Sequence, residues 1–98
     1  MQTDTKQTRE ALNREIKEYM AIEATLQARA NLAYRRECSH RQAAERAATA
    51  GDEQLQQLHV TIADAEEERR FACLASHDAY RELELHLQRE LTWLTLSA

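Results

Sequence analysis

The 98-residue sequence predicts an all-α fold, an antiparallel two-helix hairpin of coiled-coil type, completed by a partner chain or by self-association. Three observations carry that expectation. Seventeen alanines and twelve leucines stand beside abundant Glu, Gln and Arg, all strong helix formers, whereas there are only three isoleucines and one valine. There is no proline, and Gly51 is the only glycine, lying almost at the midpoint of the chain. Apolar side chains recur at steps of three and four on both sides of Gly51, the spacing of one helical face. A single Phe and a single Trp leave little bulk for a globular core, so long helices burying one stripe each are the natural solution.

Helix 1 is expected over about 8–49. Asp4 followed by Gln7 resembles a capping box, with Thr3 and Thr8 as competing caps. Its stripe runs through Leu12, Ile16, Tyr19, Ile22, Leu26, Ala30 and Ala33, then thins to Cys38, Ala43, Ala44 and Ala47. Small side chains there permit close approach of a second helix. The turn is placed at 50–52, with Gly51 as the left-handed residue past a helix end and Asp52 as the cap of the next helix. Helix 2, about 53–94, carries Leu55, Leu58, Ile62, Ala65, Ala72, Ala79, Leu83, Leu87, Leu91 and Leu94, interrupted by Arg69 and Ser76. The whole of 1–98 is one helical-hairpin domain.

Such a hairpin pairs residues whose numbers add to roughly 101. Arg35 and Arg36 then lie across from Glu66, Glu67 and Glu68, and Lys17 across from Glu84. Within helix 1, Glu10/Arg14/Glu18 and Glu37/Arg41/Glu45 form i, i+4 ladders worth a few tenths of a kcal/mol per pair. The first 50 residues hold nine Lys/Arg and seven Asp/Glu, the remainder four and ten, so the two helices differ in sign.

The most apolar stretch is LELHLQRELTWLTLSA at residues 83–98. Wound as a helix it is apolar around nearly its whole circumference, wider than the roughly 100° stripe one helix can cover. The facing segment TDTKQTREA, residues 3–11, is polar. Leu85, Leu87, Leu91, Trp93, Leu94 and Leu96 are therefore the expected partner-binding residues, covered by another protein chain.

Chemistry is hard to find in the same residues. No phosphate-cradling loop, HExxH, CxxC or nucleophile elbow is present, so no catalytic or cofactor-binding residue is assigned and the chain is read as non-enzymatic. Cys38, His40 and His59 come near one another in the expected register, but three scattered groups make a poor zinc site and no metal is assigned. His86 stands four residues before Glu90, a helical ion pair when protonated. The run Glu66–Glu68 beside Asp64 lies on a helix and lacks a calcium-loop geometry.

A net charge of −4 disfavours nucleic acid as a partner, the only support being the cluster Arg29, Arg35, Arg36, Arg41 and Arg46. No apolar run approaches the 18 residues of a membrane span, and the first ten residues lack the apolar core of a secretory signal. Two isolated cysteines, Cys38 and Cys73, fit a reducing, cytoplasmic setting.

In architecture, the two Ala/Arg/Glu-rich arms around Ala50-Gly51-Asp52 and the Leu-rich segment 83–96 resemble the small helical-hairpin proteins of bacterial type III secretion systems, its co-chaperones and export-stalk proteins. The resemblance spans the whole chain and transfers no functional residue. It implies binding of another secretion component that would otherwise aggregate or polymerise. The functional expectation is an adaptor or small chaperone, the alternative a self-associating coiled-coil protein forming a homodimer or small bundle.

Overall fold

The computed structural model describes residues 2–97, with side chains from residue 4 onward. Two helices account for nearly all of it, α1 over Gln2–Thr49 and α2 over Glu53–Ser97, folded as a hairpin with no strand among the described residues. Helix α1 thus begins about six residues earlier than expected. TDTKQT contains neither Gly nor Pro, Asp4 sits favourably in the positive first turn, and the Thr8 hydroxyl donates back to the Asp4 carbonyl at 2.8 Å, inside the helix. The expected capping box is absorbed into the helix instead of starting it.

The turn follows from its residues. Gly51 has φ +76°, the left-handed region open to glycine, and is the only described residue with positive φ. Its N–H donates to the Ala48 carbonyl at 3.1 Å and the Asp52 N–H to Ala47 at 2.9 Å, the paired bonds of a Schellman motif. Asp52 then caps α2: its carboxylate accepts from the Leu55 N–H at 3.0 Å and its carbonyl from the Gln56 N–H at 3.0 Å. Three residues reverse the chain and satisfy the Ala47 and Ala48 carbonyls on one side and the Leu55 N–H on the other. A Cβ at Gly51 would meet open space, so any replacement is strained by φ alone.

The chain divides into two compact units, a turn unit (Leu26–Ala75) and an arm unit (Met1–Thr25 with Ser76–Ala98). In the turn unit a heptad seam is formed by Leu26, Ala30, Ala33, Glu37, His40, Ala44 and Ala47 of α1 with Gln56, His59, Ala63, Glu66, Arg70 and Cys73 of α2, all buried or half-buried. Its fully enclosed apolar residues are all alanines; Ala63 is 0 % exposed and Ala30 and Ala33 are 2 %. Methyl side chains let the helix backbones approach closely, and there is no room for a larger group.

Polar members of this seam lock its register. His40 and His59 meet Nδ1 to Nδ1 at 3.0 Å, one ring donating and the other accepting. Arg41 donates to Glu37 at 2.9 Å on its own helix, and across to Asp64 and Glu67 at 3.3 Å each. The hydrogen bond to Glu37 pushes the Arg41 pKa further up, against desolvation. Arg70 lies 3.4 Å from Glu37 and stacks on Tyr34 and Phe71, 4.9 Å from each ring.

The arm unit repeats the heptad with different fillers. Arg9, Leu12, Ile16, Tyr19 and Glu23 of α1 face His77, Tyr80, Glu84, Leu87, Leu91 and Leu94 of α2, all buried or half-buried. Tyr19 and Tyr80 pack with ring centroids 5.8 Å apart. Glu23 and Glu84 are both buried, and Glu84 accepts from Gln88 at 2.9 Å. Burial first, then a hydrogen bond with and the charge of Glu84, push the Glu23 carboxyl above its ordinary 4.5, opposed by the charges of His77 and Arg81.

Three expectations need correction. The stripe assigned to helix 2 is one residue out of phase between Leu55 and Leu83. Leu55, Leu58, Ala65, Ala72, Ala79 and Leu83 are exposed and Ile62 half-buried, while Gln56, His59, Ala63, Glu66 and Cys73 take the seam. Polar contacts across the seam hold this phase: Arg70 reaches the buried Glu37 at 3.4 Å and His59 meets His40 at 3.0 Å. In α1, likewise, Glu23 occupies the seam and Ile22 is exposed.

The cross-hairpin cations are also different. His40–His59 and Tyr19–Tyr80 lie within one helical turn of the expected pairing, but the arginines that cross are Arg41 and Arg70, not Arg35 and Arg36. Arg35 lies on the outermost position of α1, and Lys17 is exposed while Glu84 turns inward. Of the expected ladders, Glu37–Arg41 closes; among the described residues Glu10/Arg14/Glu18 does not, whereas His86–Glu90 does at 3.0 Å.

Cys38 and Cys73 are both free and half-buried, on different positions of the heptad. Their numbers put them about 15 Å apart along the axis at the 1.5 Å rise of a helix, whereas a disulfide needs Cα atoms within about 7 Å. Mild oxidation of the monomer is expected to leave both thiols alkylatable, checked by mass spectrometry. A Cys38–Cys73 link within one chain would mean that the register is different.

Candidate functional site: the outward apolar faces

Because the turn-unit seam is filled mainly by alanine and polar residues, and the arm-unit seam holds only part of the rest, many large apolar side chains are left outside. Exposed are Met20, Ile22, Leu32, Tyr34, Leu55, Leu58, Phe71, Leu83, Trp93 and Leu96. In the turn unit this is the reverse of the usual partition, in which such residues fill the core. Scattered singly they would need no explanation; here helical spacing gathers them into rows.

With seam positions lettered a and d, the residues one step before them, g and c, lie on one side of an antiparallel pair, and those one step after, b and e, on the other. In the turn unit the g/c side carries Arg29, Leu32, Arg36, Ser39, Ala43 and Arg46 from α1, with Leu55, Leu58, Ile62, Ala65, Arg69 and Ala72 from α2. A shallow groove on this side is lined by Arg29, Leu32 and Arg36 together with Glu66, Arg69 and Cys73, which brings Arg69 of the α2 row beside the α1 row. The face has four cations and no acid. Arg69 pairs with Glu66 at 3.2 Å, but Arg29, Arg36 and Arg46 have no ion-pair partner among the described residues.

The b/e side of the same unit is different in kind. Arg41, Asp64 and Glu67 are engaged with one another there, Glu45 has no ion-pair partner among the described residues, and Tyr34 and Phe71 are held by Arg70. Cys38 lies here beside Tyr34, whose hydroxyl pKa is raised chiefly by a hydrogen bond with that thiol. The expected trio of Cys38, His40 and His59 is therefore split, the histidines facing each other and the thiol turned to tyrosine. Among the described residues no group of three His, Cys, Asp or Glu side chains is placed to hold a metal ion.

In the arm unit the g/c side carries Ala11, Glu15, Glu18 and Ile22 from α1, with Ala79, Leu83, His86, Glu90 and Trp93 from α2. It contains three glutamates and neither Lys nor Arg. Glu15 and Glu18 have no ion-pair partner among the described residues, and Glu90 pairs only with His86.

The six expected partner-binding residues divide between roles. Trp93 and Leu96 are 67 % and 82 % exposed and point away from the seam. Leu87, Leu91 and Leu94 are half-buried at seam positions, and Leu85 is half-buried on the b/e side. α1 extends far enough to put Thr5 and Arg9, both half-buried, on its own seam positions at this end, so the polar segment covers part of the leucine-rich stretch after all. Sequence reasoning missed the outer row of exposed Leu55, Leu58 and Ala65 with half-buried Ile62, having assigned it to the seam. The signal was present: Gln56, His59, Ala63, Glu66, Arg70 and Cys73 follow the same three-four step, one residue later, as a polar-and-small frame that matches α1.

No helix among the described residues is long and apolar enough to cross a membrane. No family model matches the chain, and no curated protein or solved structure is detectably similar to it.

Proposed function

We propose that this chain is a non-enzymatic interaction module, a helical hairpin that holds another protein chain against its outward apolar faces. One observation carries the reading: the turn-unit seam is made mostly of alanine, Glu, His and Arg, while Leu32, Leu55 and Leu58 there, and Ile22, Leu83, Trp93 and Leu96 in the arm unit, are exposed. Burying each large apolar side chain is worth about 1.5–3 kcal/mol, and the hairpin leaves most of that unrealised. With a different chain as occupant the protein is an adaptor or small chaperone, and the resemblance to secretion co-chaperones would make that chain a secretion component. With a second copy it is a self-paired bundle, the reading favoured by the opposite charges of the two g/c faces. The free thiols are compatible with a reducing, cytoplasmic setting.

The test uses the two most exposed residues of the leucine-rich end. Replacing Trp93 and Leu96 together by Ala is expected to weaken association by about 2 kcal/mol or more, since a tryptophan at a contact is the commonest hot spot. Helicity and melting temperature of the isolated hairpin should stay unchanged, because neither side chain contributes to the seam. Association is read by sedimentation equilibrium of the chain alone and by titration against any chain that co-purifies from its source cells. Unchanged association in both would place the contact elsewhere.

A further inference from the structure

We propose that the occupant of the turn unit's g/c face is a second copy of this chain, docked through the g/c face of its arm unit. The inference rests on the interaction-module reading and names its partner. The two faces are complementary in two independent respects. Each carries apolar surface, the row Leu55, Leu58 and Ile62 on one, and Ile22 with Leu83 and, beyond His86 and Glu90, Trp93 on the other, so each offers surface the other can bury. Each carries charge of a single sign: Arg29, Arg36, Arg46 and Arg69 against Glu15, Glu18 and Glu90.

Single-sign faces are informative because the chain mixes its charges elsewhere. On the b/e side of the turn unit Arg41 has three carboxylates around it, and Glu45 is the charge there without an ion-pair partner among the described residues. On the g/c sides Arg29, Arg36, Arg46, Glu15 and Glu18 all lack an ion-pair partner among the described residues. Two like faces would set cation against cation or carboxylate against carboxylate, which costs several kcal/mol in mismatched interfaces. Turn face on arm face is the pairing that brings opposite signs together. Because every chain has one face of each kind, two copies carry all the surfaces the contact needs, the condition for a self-complementary assembly.

The test is a charge exchange read by sedimentation. One variant carries Arg29→Glu, Arg36→Glu and Arg69→Glu; the other carries Glu15→Arg, Glu18→Arg and Glu90→Arg. All six positions are exposed, and circular dichroism checks that the helices persist; neutral Gln replacements serve if a reversal unfolds the chain. The wild type should associate with itself, more weakly as salt rises and the Debye length falls to about 3 Å at 1 M. Each reversed variant alone should associate at least about tenfold more weakly, through like-charge repulsion across the contact. Mixed in equal amounts the two should associate as the wild type does, since each turn face then meets an arm face of opposite sign. A single chain carrying all six reversals should recover as well.

A wild type that stays monomeric, reversals without effect, or a mixture that stays apart would each overturn the inference. In those cases Trp93-dependent binding of a different chain would leave the interaction-module reading standing. Absence of both self-association and such binding would remove both. A mobility shift with random duplex DNA, abolished by the arginine reversals in a monomeric protein, would assign the basic face to phosphate and overturn the second copy as its occupant.

Discussion

Replacing Ala63 by leucine is expected to destabilise the turn unit by about 1–3 kcal/mol, the range seen when methylenes are forced into a packed interior. Ala63 is 0 % exposed and lies in a seam whose other enclosed apolar residues are Ala30, Ala33, Ala44 and Ala47. None of these can shrink to make room, so the added isobutyl group must push the helices apart. The His40–His59 contact at 3.0 Å and the Arg41 bonds to Asp64 and Glu67 at 3.3 Å would lengthen with it. For a domain of this size each kcal/mol lowers the melting temperature by roughly 4–8 °C. Leu58→Ala is the control: Leu58 is 55 % exposed, and in the isolated hairpin its truncation should change stability by no more than about 0.5 kcal/mol. Thermal unfolding of the two variants, followed by circular dichroism at low concentration, gives the comparison. Equal stability of Ala63→Leu and wild type would mean that the seam is not closely packed.

The contrast between these positions marks how far the sequence could be read. Helix content, the turn and its chemistry were all legible. Gly51 and Asp52 are local signals: one residue has to be left-handed and the next has to accept an N–H, and the bonds at 2.9–3.1 Å are those the residue types demand. The axial register was legible too, because a three-residue turn leaves little freedom in how the arms pair.

Helical phase was not legible from hydrophobicity. Between Leu55 and Leu83 two frames one residue apart both keep the three-four step, and the more apolar frame is the outer one. A hydrophobic pattern names the face that avoids water, without saying whether its own hairpin or another chain removes it. What decides here is polar matching between the helices, Arg70 toward Glu37 and His59 toward His40, which becomes visible once both helices are considered together. The same ambiguity affected the candidate site. Trp93 and Leu96 are outward as expected, but Leu87, Leu91 and Leu94 belong to the seam, because α1 runs on to Gln2 and reaches that end. The start of α1 was misplaced since a capping signal in Asp4 and Gln7 is equally at home inside a first turn.

Replacing Glu23 by glutamine is expected to stabilise the arm unit at neutral pH and to remove part of its pH dependence. Glu23 and Glu84 are 6 % exposed each, an acidic pair within the seam, and one Glu23 oxygen, Oε2, is enclosed without a hydrogen-bond partner. Burial, reinforced by Glu84, raises the Glu23 pKa above 4.5 in the folded chain. A carboxyl whose folded pKa lies above its unfolded value binds its proton more tightly in the folded state. Its stabilising contribution is fully present below the unfolded value and is lost as pH rises through the raised folded value. Wild-type stability should therefore fall, through this group, between pH 4.5 and neutrality. Glutamine keeps a donor for Glu84 at every pH and has no charge to desolvate, so the variant should exceed the wild type at pH 7.5 and approach or fall below it near pH 4.5. The quantity to measure is the difference in melting temperature between the two chains from pH 4.5 to 7.5, in which titration of groups remote from the Glu23–Glu84 pair cancels. A rise of several degrees at the neutral end is the size that about 1 kcal/mol produces in a domain of this length. Glu37→Gln provides the opposite sign: Glu37 lies between Arg41 and Arg70, and neutralising it should destabilise the turn unit at neutral pH. A constant difference across the range, or a Glu23→Gln chain less stable than wild type at pH 7.5, would mean that the carboxylate is solvated or paired in the folded hairpin.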